Sequence, residues 1–204
     1  MKPTSIARGA ACLMVLGLAG GLGGCTDTVV AVVTAPVTLA ERVVEARSSG
    51  NIAKDNEIVL DVNAIMADLG TIKASTEIYE QRLLITGLFD DKKLYNDFRR
   101  RVGNIYGIKK LYWHVMYMSK AAQAQNKARL IAWPDAMLLD NRVGLKLVGA
   151  AGVADVNFRV AADAKSTIYL IGRARSGEER RKALALARGT SGVKRVVNYV
   201  VVRP

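Results

Sequence analysis

Apolar residues in this chain of 204 residues change period in a fixed order, and the order occurs twice. Ile58, Val62, Ile65 and Leu69 recur at helical spacing and predict a first helix over about Lys54–Leu69. Two short runs follow, near Lys73–Glu80 and Arg82–Leu88, separated by the polar pair Glu80-Gln81, which reads as a hairpin. A second helix begins at Asp90, where Leu94, Phe98 and Val102 stand four apart as one apolar stripe. Gly107 then allows a turn into a last strand, Ile108–Met116. The counterpart elements are a helix over about Asp135–Ala150 and strands near Asp155–Ala161 and Ser166–Arg173, joined through Asp163-Ala164-Lys165. A helix from Ser176 and a strand over Val193–Val202 complete the second set. Ser176-Gly177-Glu178-Glu179 fits a capping box, and Ala183, Leu186, Ala187 and Thr190 form the smaller stripe behind it.

The repetition extends to residue identities. At an offset of 85, Asp55-Asn56 falls on Asp140-Asn141, Leu60 on Leu145, Lys109 on Lys194 and Val115 on Val200. The glycines coincide as well, Gly87 with Gly172 at the end of a strand and Gly107 with Gly192 at the turn into the last one. Each unit therefore reads helix, strand, strand, helix, strand. A helix joining two strands of one sheet implies that they are parallel, with a right-handed crossover. The expected fold is α+β: two tandem units, each a small three-stranded mixed sheet carrying two helices. The units span 47–118 and 134–204, with a polar, alanine-rich connector at 119–133. Pro134 suits the first position of the helix that follows.

Ahead of the first unit the chain changes character. Lys2 and Arg8 precede Gly9–Gly24, which carries no charge, and Leu22-Gly23-Gly24-Cys25 closes the run. This is the three-part pattern of an export signal over residues 1–24, too short for a comfortable membrane span of about 20 apolar residues. Its ending resembles the lipobox of bacterial lipoproteins, which implies cleavage before Cys25 and acylation there, with 25–46 as a lipidated tether. Cys12 lies within the signal, so with Cys25 acylated no thiol remains for a disulfide, a metal site or a nucleophile.

Charge adds a direction. The formal net charge is +12, and residues 135–204 hold thirteen basic against six acidic side chains. A basic surface on an exported protein meets anionic phospholipid or acidic glycolipid before nucleic acid.

The two units together resemble BON domains. The pattern is Asp-x-x-Ile/Val, a strand ending in glycine, a helix, and Gly192-Val193-Lys194-Arg195-Val196, which reads Gly107-Ile108-Lys109-Lys110-Leu111 in the first copy. A lipobox followed by two such units resembles the dual-BON outer-membrane lipoproteins of the DolP type, as does Arg47-Ser48-Ser49-Gly50 ahead of Asp55. The resemblance implies a lipid-anchored protein on the periplasmic face of the outer membrane that supports envelope integrity. It also implies that the second unit binds anionic phospholipid through the start of its first helix. Thr26 after Cys25 agrees with outer-membrane sorting under the same resemblance.

That stretch here is Trp133-Pro134-Asp135-Ala136-Met137-Leu138-Leu139, with Arg142 and Lys146 downstream. Large apolar residues ringed by basic ones are the form of an interfacial contact. Trp133, Met137, Leu138, Arg142 and Lys146 are the expected phospholipid-binding residues. The competing assignment is that Met137, Leu138 and Leu139 cover the core or dock on the first unit.

Nothing in the chain reads as catalytic, and no cofactor or metal is expected. His114 is the single histidine, on a strand with no acid or nucleophile beside it. Asp90-Asp91 open a helix, where negative charge is favourable. Gly189-Thr190-Ser191-Gly192 imitates an RNA-binding GxxG loop but precedes a strand, so it reads as a turn, and no nucleic acid is expected. The rival function is a protein-interaction module that binds an outer-membrane assembly factor or a cell-wall enzyme.

Overall fold

Local chemistry sets where each element begins. In the computed structural model, which describes residues 45–203, helix α1 spans Ser49–Asp68. It starts earlier than the apolar spacing predicts because the Ser48 hydroxyl caps it, accepting from the Asn51 amide at 3.2 Å. Strands β1 (Ala74–Tyr79) and β2 (Arg82–Phe89) form the hairpin. Asp91 caps helix α2 (Lys92–Gly103), its carboxylate accepting from the Leu94 amide at 2.9 Å, and β3 runs over Lys110–Tyr117. The connector is partly helical, as its composition predicts, with α3 (Lys120–Gln125) and a 3-10 turn at Lys127–Arg129. Helix α4 (Trp133–Val148) carries Pro134 in its first turn. A 3-10 turn at Asp155–Asn157 takes the place of the predicted start of the next strand, followed by β4 (Phe158–Ala162) and β5 (Thr167–Ala174). Helix α5 (Gly177–Arg188) and β6 (Arg195–Val202) complete the chain. Cys25, the signal and the tether up to residue 44 lie outside the described residues.

Both sheets have the expected topology. β1 is antiparallel to β2 and β2 parallel to β3; β4, β5 and β6 repeat this arrangement. The Ser176 capping box is only half formed. The Ser176 hydroxyl accepts from the Glu179 amide at 3.1 Å, but the Glu179 carboxylate passes the cap and accepts from the Arg175 and Ala154 amides, both at 2.7 Å. It thereby ties α5 to the loop after α4. Gly172 sits at φ 148° with the Asn157 carbonyl so close that an added Cβ would lie 2.0 Å from it, and the equivalent distance at Gly87, to the Lys73 carbonyl, is 2.5 Å. These two glycines let the neighbouring chain cross the central strand at contact distance. Gly107 and Gly192 turn the chain into β3 and β6 at φ 87° and 92°.

One face of each sheet packs on its helices. In the second unit Ile168, Leu170, Val200 and Phe158 meet Leu139, Val143, Leu147, Ala183 and Ala187. In the first, Leu83, Ile85, Phe89 and Val115 are buried with Ile58, Val62 and Val102, and Phe98 stacks on Phe89 at 5.5 Å.

The opposite faces pack against each other. Strand side chains alternate between faces, so the residues offset by one from each helix-facing set form a seam. Tyr79 and Leu84 cluster there with Ala161, Tyr169 and Ile171, joined by Tyr112, Val197 and Tyr199. Tyr112 stacks on Tyr199 at 3.9 Å, and His114 stacks on Tyr169 at 4.1 Å while its Nε2 lies 2.8 Å from the Tyr199 hydroxyl. Thr86 Oγ1 donates to the Ala162 carbonyl at 2.8 Å, and Arg82 donates to the Tyr199 and Gly172 carbonyls, both at 2.8 Å. His114 is thus a hydrogen-bonded seam residue, its pKa lowered by burial.

A short strap seals one end of the seam. The Ala46 amide donates to Asn157 Oδ1 at 2.7 Å, and its carbonyl accepts from Arg173 at 3.2 Å. Arg47 pairs with Glu45 and with Asp55, and lies 4.7 Å over the Tyr79 ring.

The two copies stabilise their hairpins differently. Glu80 and Gln81 both have positive φ, 53° and 61°. The buried Asp55 carboxylate accepts from both of their amides, at 2.8 and 2.7 Å, and from the Gln81 side chain at 2.7 Å. In the second unit the turn is one residue longer and supplies its own acid. Asp163 accepts from the Lys165 and Thr167 amides, at 2.8 and 2.9 Å, and from the Tyr169 hydroxyl at 2.9 Å. Asp140, the counterpart of Asp55, is left without that role.

Candidate membrane-facing helix

Helix α4 buries Ala136, Leu139, Val143 and Leu147 against its own sheet. That fixes which residues must point outward, since positions three and four apart share a face. Pro134, Leu138, Asn141, Leu145 and Val148 stand opposite the buried row, and the three large ones are 57%, 73% and 63% exposed respectively for Leu138, Leu145 and Val148. A helix in a small domain that leaves three aliphatic side chains in water on one stripe presents an unpartnered apolar face.

The expected site residues divide over this helix. Leu138 is on the outward stripe, and Met137 is half-buried on one flank. Arg142 and Lys146 are exposed on the other flank; Arg142 Nε donates to the Leu138 carbonyl at 3.2 Å and Lys146 Nζ to the Gly189 carbonyl at 2.8 Å. Neither forms an ion pair among the described residues, so both keep their charge toward solvent. Leu139, which the sequence left between core and membrane, is core. Trp133 is half-buried and lines a cavity of about 190 Å³ with Ile131, Ala136, Leu88, Lys73 and Asp163. It stands at the connector, apart from the Leu138 stripe. Leu145 and Val148 escaped the sequence reading, although the helical repeat from Leu138 to Leu145 was present to find them.

The counterpart face of α1 has the opposite sign. At the 85-residue offset Leu60 replaces Leu145, while Glu57 stands for Arg142 and Asp61 for Lys146. Leu60 is 62% exposed, yet its flank is acidic.

Two acids near the seam are electrostatically strained. Burial pushes the Glu77 carboxyl up to about 8, with Arg159 opposing and Asp140 adding to the rise. Burial likewise pushes Asp140 up to about 7, with only the Asn141 backbone helping its charged form. Arg159, lowered by burial and by Arg47, reaches Glu45 at 3.6 Å. A second cavity, of about 460 Å³, lies between the units beside Asn51, Lys109, Lys110 and Val201. Its arginines are already engaged: Arg82 holds two backbone carbonyls and Arg203 pairs with Glu80. Among the described residues there is no cluster of metal-ligating side chains, and no helix is long and apolar enough to cross a membrane.

Residues 140–204 match the family model described as the BON domain. The chain carries a BON domain. That match begins within α4 and runs through β6, covering most of the second unit. The first unit has the same element order and strand pairing, so the α+β architecture is consistent with two BON-like units, of which the family model matches the second. No curated protein matches the chain. Solved structures of CdsD, a structural protein of the type III secretion system of Chlamydia trachomatis, are similar at 12% identity, covering 72% of this chain and 93% of that one, with a TM-score of 0.29. The C-terminal domain of CdsD is similar at 11% identity, covering 72% and 98%, with the same TM-score. Likeness at that level supports no conclusion about the BON unit.

Proposed function

We propose that this protein is a non-enzymatic, lipid-anchored component of a bacterial envelope whose BON unit binds anionic phospholipid through α4. The observation that carries the reading is the outward stripe of Leu138, Leu145 and Val148 with Arg142 and Lys146 along one flank. Apolar side chains of this size enter the boundary between headgroups and acyl chains, while the cations meet negative headgroups. Each basic group near an anionic surface contributes roughly 1 kcal/mol, which gives weak and salt-sensitive attachment. An acyl chain on Cys25 would make that contact effectively intramolecular. Anchoring is then the lipid's task, and α4 orients the protein and selects where on the membrane it rests. Resemblance to dual-BON lipoproteins points to the same helix and supports a place on the periplasmic face of the outer membrane, with a role in envelope integrity.

Vesicle co-sedimentation of the protein without acyl chains tests the lipid arm. Binding to vesicles containing anionic phospholipid, absent from neutral vesicles and lost in Leu138→Asp and in Arg142→Glu, is the expected result. Equal binding to both vesicle types rules out headgroup recognition. A protein partner captured by cross-linking and retained in Leu138→Asp would transfer the function to protein interaction, with an assembly factor or a cell-wall enzyme as the partner class.

A further inference from the structure

The duplicated first helices carry opposite charges at matching positions, and this complementarity is a second use for both faces. Leu60 on α1 and Leu145 on α4 are equivalent and both exposed. Beside Leu60 stand Glu57 and Asp61; beside Leu145 stand Arg142 and Lys146. All four charged side chains are exposed, and none forms an ion pair among the described residues. Around Leu60 the outward face is otherwise small, with Ala53, Ala64 and Ala67 exposed, so another helix can approach closely there.

Geometry decides how two such faces fit. Because the positions correspond residue for residue, the acidic row lies on the same flank of α1 as the basic row does on α4. Laid face to face and parallel, the helices would put those rows on opposite sides. Laid antiparallel, they bring them to one side, with Glu57 facing Lys146 and Asp61 facing Arg142, while Leu145 and Leu138 enter the alanine-lined face beside Leu60.

We propose that α1 of one copy docks antiparallel on α4 of a second copy. The contact is heterologous, joining different surfaces of the two molecules, so it can extend from copy to copy. α4 is only about 24 Å long at 1.5 Å per residue, and one helix pair buries less than the roughly 1,200 Å² of a stable interface. The association is therefore weak and sensitive to salt. It stands independently of the bilayer reading; if that reading also holds, anionic vesicles and a second copy compete for the same α4 face.

Sedimentation velocity without vesicles tests it. At low salt the mean sedimentation coefficient is expected to rise with protein concentration. It should return to the monomer value in about 1 M NaCl, where the screening length falls to about 3 Å. Reversing either row, by Glu57→Lys with Asp61→Lys or by Arg142→Glu with Lys146→Glu, should weaken association at least about tenfold. Mixing the two reversed proteins one to one should restore it, since each then offers the face that the other lacks. All four changes are at exposed positions, and circular dichroism of each variant checks that its fold is kept. A coefficient independent of concentration at low salt overturns the proposal. So does association indifferent to both reversals, or a mixture that associates no better than its components.

Discussion

Asp55 and Asp140 occupy the same place in the two copies, and neutralising them should have opposite effects. Asp55 is 1% exposed and its carboxylate receives three N–H donors from Glu80 and Gln81 together with the Arg47 guanidinium, 2.7 Å away. Asp55→Asn keeps the shape but points an amide at groups that are themselves donors. It also leaves Arg47 buried with Glu45 as its one carboxylate partner among the described residues. Breaking one side of a buried, hydrogen-bonded charge pair costs about 3–5 kcal/mol. For a protein of this size each kcal/mol lowers Tm by about 2–4 °C, so a fall of roughly 6–20 °C is expected. Among the described residues Asp140 has no such partners, and burial raises its pKa from 3.8 to about 7. The folded protein then binds a proton more tightly than the unfolded chain, and stability falls as pH rises through the window from about 4 to about 7. The full shift would correspond to roughly 4 kcal/mol at 1.36 kcal/mol per unit. Because the group is partly solvated, about 1–2 kcal/mol is expected. Asp140→Asn should therefore stabilise the protein by that amount at pH 8 and have little effect at pH 4. Urea unfolding at both pH values reads this directly, provided the slope with denaturant is unchanged. Destabilisation by Asp140→Asn comparable to that of Asp55→Asn at pH 8 would refute the account, as would an Asp140→Asn effect independent of pH.

Other consequences are open to the same measurements. Gly172→Ala should cost about 3 kcal/mol or more, and Gly87→Ala less, because the added carbon would meet the Asn157 carbonyl at 2.0 Å against 2.5 Å from the Lys73 carbonyl. Similar urea midpoints for the two variants would contradict the close-approach argument. His114→Phe keeps a ring against Tyr169 but loses the bond to Tyr199, at a cost of about 1 kcal/mol near neutral pH. Burial lowers the folded His114 value below its ordinary 6.5, so the unfolded chain protonates first and native stability is lost as pH falls below that point. The phenylalanine variant should lose less on acidification, and identical pH profiles would show that His114 does not govern this region. Leu145→Asp should reduce vesicle binding as strongly as Leu138→Asp if the whole outward stripe enters the bilayer, whereas Leu60→Asp on α1 should not reduce it.

The element order was legible because it depends on local signals. Helical spacing, two polar turns, Ser176 and Asp91 before helices, and Gly107 and Gly192 after them each act within a few residues. Comparing positions 85 apart revealed the duplication, and β3 and β6 pair in parallel with their central strands as that pattern implies. The outward position of Leu138 was only half legible. A run of Met137-Leu138-Leu139 contains both a core residue and an exposed one, and the buried row that separates them is completed only by Val143 and Leu147 packing on the sheet.

What remained was set by contacts between residues far apart in the chain. Alternation marks two faces on every strand but cannot say what covers the second; Tyr112 and Tyr199, and His114 and Tyr169, meet as ring partners only across the seam. The same holds for Glu45, Ala46 and Arg47, whose partners include Asn157, Arg159 and Arg173, all more than a hundred residues later. Asp55 and Asp140 show the limit most directly. Their sequence equivalence was plain, but one extra residue in a distant turn brought in Asp163 and removed Asp140 from the hairpin. Sequence alone determined the order of the elements and the repeat, because these depend on neighbours along the chain. Tertiary structure decided which polar groups find partners and which leucines stay in water, because burial and hydrogen bonding depend on neighbours in space.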